Sequence, residues 1–191
     1  MLSLWSATSH IPSFDTLKED TKTDALIIGG GLSGILCAYE LKSRGIECIL
    51  VEANKICSGI TKNTTAKITS QHGLIYQNLI QDFGKEKAQQ YLRANEEAIS
   101  AYKQLCQNID CDFVEKNSYI YSTLDRVKLE EEVKALHSLG YPATFAEKLS
   151  LPFPTKGAVC FPAQAQFHPL QFAAGLVKDL TVFENTFVRE I

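Results

Sequence analysis

The sequence lacks a long apolar run, although 45% of its 191 residues are hydrophobic. Its apolar stretches, such as residues 25–28 and 34–39, are much shorter than the roughly 18 residues that a membrane-spanning helix needs. The N-terminus also lacks the basic region and apolar core of a secretory signal. These absences predict a cytoplasmic protein with no membrane partner.

An excess of charge of either sign is also missing. The 19 basic residues nearly balance the 22 acidic ones, and the net charge is -3. Domains that bind nucleic acid or an anionic membrane surface usually carry a concentrated basic patch. The charge balance therefore predicts that the protein binds neither nucleic acid nor an anionic membrane surface.

The six cysteines form no Cys-x-x-Cys pair, and no Cys and His residues have the spacing of a metal site. Most of them lie within apolar patterns, where reduced thiols pack as small hydrophobic groups. We therefore predict structural thiols and no metal site within this chain.

The most informative segment that is present begins at Asp24. Residues 25–28 are continuously apolar, which predicts a parallel strand buried on both faces. A helical apolar period then runs over residues 32–44 and ends at Gly45, and residues 46–51 predict a second buried strand. Together these elements predict a βαβ unit.

The run Gly29-Gly30-Gly31-Leu32-Ser33-Gly34 fits the pattern G-x-G-x-x-G at the junction of the first strand and the helix. Gly29 permits the tight turn, Gly31 leaves room for a pyrophosphate, and Gly34 lets the helix pack close to the sheet. Glu52 ends the second strand, where its carboxylate would accept hydrogen bonds from ribose hydroxyls. An ordinary turn and an exposed acid would use the same residues, but the combined context predicts a dinucleotide site, without deciding between FAD and NAD.

The rest of the chain predicts further helices and strands, with an acidic cluster, Glu130–Glu132, on a solvated helix face. An irregular arm over the first 21 residues and a Ser/Thr-rich loop over residues 54–73 flank the βαβ unit. The segment after Gly140, which contains four prolines, is expected to be irregular. The predicted helices cover residues 74–82, 85–108, 125–138 and a segment from Pro169, and the predicted strands cover 112–115, 119–122, 181–184 and 187–191.

The run from Asp24 to Gly34, together with Glu52-Ala53, resembles the FAD-binding start of the D-amino-acid oxidase, glycine oxidase and sarcosine oxidase superfamily. Ser3-Leu4-Trp5, Pro12-Ser13-Phe14 and residues 63–76 resemble a bacterial branch of FAD-dependent oxidoreductases that often carries a C-terminal Rieske iron–sulfur domain. The similarity spans essentially the whole chain. It implies that the cofactor is FAD.

The resemblance also implies cofactor contacts outside the glycine turn. In the superfamily, the segment after the ribose-binding acid wraps the pyrophosphate, and a late strand contacts the adenine through its backbone. The implied cofactor-binding residues are Gly29, Gly31, Leu32, Ser33, Gly34, Glu52, Ala53, Gly59, Thr61, Thr64, Thr65, Ala66, Lys67 and Val188. Helix capping and loop solubility would also account for the Ser and Thr residues among them. No residue is assigned as a catalytic base.

The expected architecture is α/β, a Rossmann-like three-layer FAD/NAD(P)-binding domain with a helical and small β insertion. Residues 1–21 would form the arm, residues 22–110 and 166–191 the FAD-binding domain, and residues 111–165 the start of a substrate-side domain. The resembling enzymes have about half of their length still to come after the matched part. We therefore expect a fold that is incomplete at its C-terminus and catalytically incomplete alone.

The resemblance implies an oxidoreductase that transfers a hydride from a small amine or amino acid to the flavin. A missing C-terminal half or a Rieske-type domain would be its electron partner. Two alternatives are an NAD-dependent dehydrogenase and a non-catalytic nucleotide-binding module. The helical segment after the Ser/Thr-rich loop counts against the dehydrogenase, because dehydrogenase halves normally continue in βαβ units.

Overall fold

The computed structural model describes residues 3–190, in two compact units. The first unit comprises the chain up to Ala66, Cys106–Asp112 and the chain from Phe167 onward, and the second comprises Lys67–Leu105 and Phe113–Gln166. The helices are α1 (Leu4–Thr8), α2 (Leu32–Ser43), α3 (Tyr76–Phe83), α4 (Lys85–Cys106), α5 (Arg126–Ser138) and α6 (Pro169–Leu176). The strands are β1 (Ala25–Ile28), β2 (Cys48–Val51), β3 (Lys67–Ile68), β4 (Val114–Ser122), β5 (Thr144–Ala146), β6 (Gly157–Gln166) and β7 (Val182–Phe183).

The first unit contains a parallel sheet in the order β1, β2, β7. Helix α2 connects β1 to β2 and ends before Gly45, whose φ of 75° supplies the left-handed stop. Leu50 and Val51 are fully buried in the middle strand. The predicted βαβ unit is therefore confirmed.

The prediction that β1 is buried on both faces is wrong. Leu26 and Ile28 are 51% and 50% exposed, whereas Ile27 lies on the side of α2, near Gly34. Strand β1 is an edge strand of a three-stranded sheet, and within residues 3–190 only one of its faces is well covered. Periodicity showed that the run is apolar, but not how many layers cover it.

Both ends of the first unit differ from the prediction. The arm contains a helix, α1, which Ser3 caps by accepting a hydrogen bond from the Ser6 backbone N–H. Strand β7 confirms the strand expected near residues 181–184, but residues 187–190 form no strand, and Ile191 lies outside the described residues. The φ of 50° at Asn185 turns the chain out of the extended conformation directly after β7.

The second unit contains an antiparallel sheet in which β6 pairs with β3, β4 and β5. The turn predicted near residue 117 is instead a bulge within the continuous strand β4. The segment expected to be irregular contains the longest strand, β6. This strand accommodates Pro162 at the bulge, where Ala163 has a φ of 54° and no ladder N–H is needed from the proline.

The core of the second unit lies between this sheet and helices α3, α4 and α5, and it includes a residue expected to be solvated. Glu132 is only 1% exposed, so the predicted solvated face is wrong at this position. Its carboxylate accepts hydrogen bonds from the backbone N–H groups of Tyr76 at 2.8 Å and Gln77 at 3.0 Å, at the start of α3. Glu130 and Glu131 on the same helix remain partly exposed. Fully buried residues of this core include Tyr76, Leu129, Leu136 and Phe161.

No helix within the described residues has both the length and the apolar character to cross a membrane. The same residues contain no group of three or more potential metal ligands. The two packing units divide the chain differently from the predicted domains, since residues 67–105 pack with the second unit. Which unit would bind a substrate stays a prediction.

Candidate functional site

The turn between β1 and α2 is built so tightly that two of its positions require glycine. Gly29 has a φ of 110°, and its N–H donates to the Val51 carbonyl at 2.8 Å, which ties the end of β1 to β2. A Cβ on Gly34 would overlap the carbonyl oxygen of Gly29. The helix therefore starts closer to the strand end than any other residue type at position 34 would allow.

Gly31, in contrast, borders open space. Its backbone conformation, φ -77° and ψ 176°, suits any residue, and a Cβ there would meet only Thr61 Oγ1, at 3.8 Å. As the N-cap of α2, Gly31 has no side chain to cover the N–H groups that begin the helix. The protein itself therefore leaves room for a ligand at this helix N-terminus.

Glu52 follows β2 and places its carboxylate beside the turn. Oε2 accepts from the Gly30 N–H at 2.8 Å, and Oε1 accepts from the Asn54 N–H at 2.8 Å. Each oxygen keeps further acceptor capacity, and the side chain is partly exposed. The arrangement fixes an acceptor where a hydroxyl-bearing ligand can approach it.

These groups line a cleft of about 680 Å³, within the range of roughly 300 to 1,000 Å³ that is usual for small-molecule sites. Thr61 closes one side of it, where its Oγ1 accepts from the N–H of Leu32, the first residue of α2, at 3.3 Å. The lining residues are Ile28, Gly29, Gly31, Leu32, Ser33, Gly34, Glu52, Asn54, Lys55, Cys57, Ser58, Gly59, Ile60, Thr61 and Thr64.

The structure therefore brings nine of the sequence-predicted residues together around one cleft: Gly29, Gly31, Leu32, Ser33, Gly34, Glu52, Gly59, Thr61 and Thr64. Ala53, Thr65, Ala66 and Val188 belong to the same unit but lie outside this lining. Lys67 is the first residue of β3, in the second unit. The cofactor contacts of all these residues stay predictions.

Sequence reasoning missed several residues of the cleft, of which Cys57 is the most buried, at 4% exposure. Burial, together with the nearby Glu52 carboxylate, raises the pKa of the Cys57 thiol to about 12, so the thiol stays protonated at neutral pH. Its N–H donates to the Gly30 carbonyl at 2.8 Å, and its φ is 56°. Its place between Glu52 and Gly59 was the only available signal in the sequence.

Glu184 binds residues of the loop that lines the cleft, and nothing in the sequence pattern indicates this role. Its buried carboxylate accepts from Lys55 Nζ at 2.6 Å and from the N–H groups of Ile56 and Phe14 at 2.9 and 3.2 Å. Burial acts to raise the pKa of Glu184, but Lys55 and the two amides outweigh it and hold the pKa below its usual value. Because Lys55 and Ile56 lie three and four residues after Glu52, this anchor fixes the loop that follows the Glu52 carboxylate.

Comparison with known proteins relates the geometry to a family. A family model described as FAD dependent oxidoreductase (DAO) matches residues 24–191. The chain is 38% identical to "Putative Rieske 2Fe-2S iron-sulfur protein YhfW" of Bacillus subtilis, over 98% of this chain and 38% of that protein. It is 26% identical to gamma-glutamylputrescine oxidoreductase of Escherichia coli, over 89% of this chain and 42% of that enzyme. The chain thus spans about two fifths of the length of these curated relatives.

Solved structures show the same fold at low identity. L-proline dehydrogenase from P. horikoshii superposes with a TM-score of 0.70 and 18% identity, over 88% of this chain and 45% of that one. Glycine oxidase from Geobacillus kaustophilus superposes with a TM-score of 0.57 and 18% identity, over 81% of this chain and 43% of that one. The predicted Rossmann-like α/β fold class is therefore confirmed.

Proposed function

Since this chain belongs to the family of FAD-dependent oxidoreductases, we propose that its cleft binds FAD, with the adenosine ribose at Glu52 and the pyrophosphate at the Gly29–Gly34 turn. The observation that carries the proposal is the pairing, in one cleft, of a helix N-terminus whose cap residue Gly31 has no side chain with the fixed carboxylate of Glu52. The N-terminus of α2 offers N–H groups and partial positive charge to phosphate oxygens. The Glu52 carboxylate offers acceptors to ribose hydroxyls.

The residues of the cleft fit the cofactor in size as well as in chemistry. Gly31 leaves space at the helix start that a side chain would fill, and Thr61 and Thr64 bring hydroxyl groups to the rim. Bound FAD would supply a two-electron acceptor, while this chain would orient it and shield it from water. Ala53, Thr65, Ala66, Lys67 and Val188 complete the proposed cofactor-binding set.

We propose further that the reaction is the oxidation of a small amine or amino acid. The names of similar proteins support this class, because they include an L-proline dehydrogenase, a glycine oxidase and a gamma-glutamylputrescine oxidoreductase. The relative described as a Rieske 2Fe-2S protein supports an iron–sulfur electron partner. All six cysteines are free thiols, which favours a reducing compartment and supports the predicted cytoplasmic location.

Titration of the purified protein with FAD, and separately with NAD, tests the cofactor. We expect saturable quenching of flavin fluorescence and a yellow protein, with no comparable binding of NAD. Binding of NAD in place of FAD would support a dehydrogenase instead. If FAD binds, its reduction in the absence of oxygen by a member of a panel of amines and amino acids would exclude a non-catalytic nucleotide-binding module.

A Gly31→Ala variant makes the test specific to the cleft. The added methyl group meets only ordinary contacts within the protein, so the melting temperature should not fall. It occupies the proposed pyrophosphate space, where overpacking of about 1–3 kcal/mol corresponds to a roughly 5- to 150-fold weaker affinity for FAD. Unchanged affinity would place the phosphates elsewhere.

A further inference from the structure

Helix α1 is joined to the rim of the cleft by a hydrogen bond. Trp5 Nε1–H donates to the carbonyl oxygen of Thr64 at 2.8 Å. Thr64 lines the cleft, and its Oγ1 accepts from the Ala66 N–H at 3.2 Å. Ala66 is buried and has a φ of 56°, a conformation that a non-glycine residue keeps only when its surroundings hold it there.

His168 holds Trp5 in place from the other side. The two rings meet edge to face with centroids 5.0 Å apart, and His168 is only 4% exposed. His168 Nδ1 accepts from the Gln171 N–H at 3.3 Å, which caps α6, so the ring proton lies on Nε2. Nε2–H can then donate to Thr8 Oγ1 at 2.9 Å, and the Thr8 hydroxyl donates to the Leu4 carbonyl.

These contacts connect the cap of α6, helix α1 and the cleft rim in one continuous series. The last contact, from Trp5 to the Thr64 carbonyl oxygen, fixes the backbone that carries the Thr64 side chain. The hydroxyl oxygen of that side chain already accepts from the Ala66 N–H. The hydroxyl hydrogen of Thr64 therefore stays available as a donor to an anionic oxygen in the cleft. Without the Trp5 bond, the Thr64 carbonyl would lose the partner that fixes the local backbone.

We infer that Trp5 and His168 are positioning residues for the cofactor, and that they act by fixing the Thr64–Ala66 backbone at the edge of the cleft. The inference rests on the proposed function, because the ligand it concerns is FAD. It gives α1 a role in cofactor affinity in addition to its packing within the first unit.

A Trp5→Phe variant tests the hydrogen bond, because phenylalanine keeps a ring against His168 but has no N–H for Thr64. The matched control is Ser9→Ala, which removes the 2.7 Å bond from Ser9 Oγ to the Trp5 carbonyl without touching Thr64. We expect Trp5→Phe to raise the Kd for FAD about five- to tenfold, as the loss of one hydrogen bond implies, and to change the visible circular dichroism of bound flavin. Ser9→Ala should leave both unchanged, and the two variants should have similar melting temperatures without FAD.

A His168→Asn variant tests the second residue, because asparagine keeps an N-cap for α6 but removes the ring. We expect it to weaken FAD binding as well. The double variant Trp5→Phe/His168→Asn should bind FAD less tightly than the wild type. Its fold-increase in Kd should be smaller than the product of the two single fold-increases, because both residues act through Thr64.

The outcomes separate this inference from the proposed function. A wild-type protein that binds no FAD would overturn both. If the wild type binds FAD and Trp5→Phe binds it equally well, only the inference is overturned, and α1 is a purely structural element. Equal loss of affinity in Ser9→Ala, or a double variant that shows the full product of the two effects, would also overturn it.

Discussion

Two carboxylates in this protein bind backbone amides beside the start of a helix, with opposite consequences. Glu132 in the second unit is 1% exposed and gives one oxygen each to the amides of Tyr76 and Gln77. Glu52 in the first unit also binds two amides, but it is partly exposed and borders the cleft. The same kind of interaction is buried in the second unit and accessible to a ligand in the first.

The difference shows how burial determines the role of such a carboxylate. The Glu132 carboxylate and the Tyr76 amide are both buried, so loss of the carboxylate would leave this amide without a partner, at its full desolvation cost. The Glu52 amides can be hydrated if its carboxylate is lost, because the cleft is open. We therefore expect Glu132 to matter for stability and Glu52 to matter mainly for binding.

The largest effect on stability is expected from Glu132→Ala. The change leaves the buried Tyr76 amide and the partly buried Gln77 amide without acceptors and creates a cavity, so the free energy of unfolding should fall by about 2–5 kcal/mol. Urea unfolding measures it. The matched control is Glu131→Ala on the same helix, which is partly exposed and should change the free energy by less than about 0.5 kcal/mol. Equal losses of stability in the two variants would contradict a stabilising role for the buried Glu132 carboxylate.

Gly34→Ala should come next, since its methyl group would overlap a backbone carbonyl that cannot move aside easily. We expect a loss of about 1–3 kcal/mol of stability together with weaker FAD binding. Gly31→Ala is the control, because it should weaken FAD binding while leaving the unfolding transition unchanged. A Gly34→Ala protein as stable as the wild type would show that the helix start is not sterically constrained.

Glu52→Gln should have a smaller effect on stability, about 1 kcal/mol, because one of its two amide contacts can be kept. Its affinity for FAD should fall about 10- to 100-fold, because hydrogen bonds to a charged acceptor contribute about 1.5–3 kcal/mol. Flavin fluorescence titration measures the change. Glu40→Gln serves as the control, because Glu40 is exposed on α2 and lies outside the cleft lining. If Glu52→Gln reduced the free energy of unfolding by more than the free energy of FAD binding, Glu52 would act mainly in stability, as Glu132 is expected to do.

The smallest expected effect is a pH dependence that comes from Glu184. The folded protein holds the pKa of this carboxyl below its usual value, so its stabilising contribution is present above the pKa of the unfolded chain. The contribution is lost as the pH falls through the folded pKa. The difference in unfolding free energy between the wild type and Glu184→Gln should therefore shrink on acidification from pH 6 to about pH 3, and a constant difference would contradict the shift.

Much of the cleft could be predicted because its geometry is local. The glycine pattern, the strand before it and Glu52 lie within one βαβ unit, so spacing along the chain translates directly into distance. The pattern did not reveal Cys57 or Glu184. Cys57 joins the cleft through a left-handed turn, and Glu184 reaches it from a part of the chain 128 residues after Ile56.

The second unit was harder to predict because its strands pair over long sequence separations. Strand β6 was not predicted because the prolines of this segment indicated an irregular structure. A bulge at Pro162 allows the strand to continue past the proline. The Glu132 prediction failed because an acid in a charged helix usually faces solvent, and only the placement of α3 against α5 supplies its partners.

The sequence by itself determined the βαβ unit, its glycine turn and the acid after β2, because each depends on backbone conformation within a short stretch of chain. Only the tertiary structure decided that Glu132 is buried while Glu52 borders the cleft, that β7 pairs with β2 while residues 187–190 form no strand, and that Trp5 lies against the cleft rim. Those outcomes depend on which surfaces meet after folding. Burial and hydrogen-bond partners from distant segments are properties of that packing, and the local pattern of residues does not contain them.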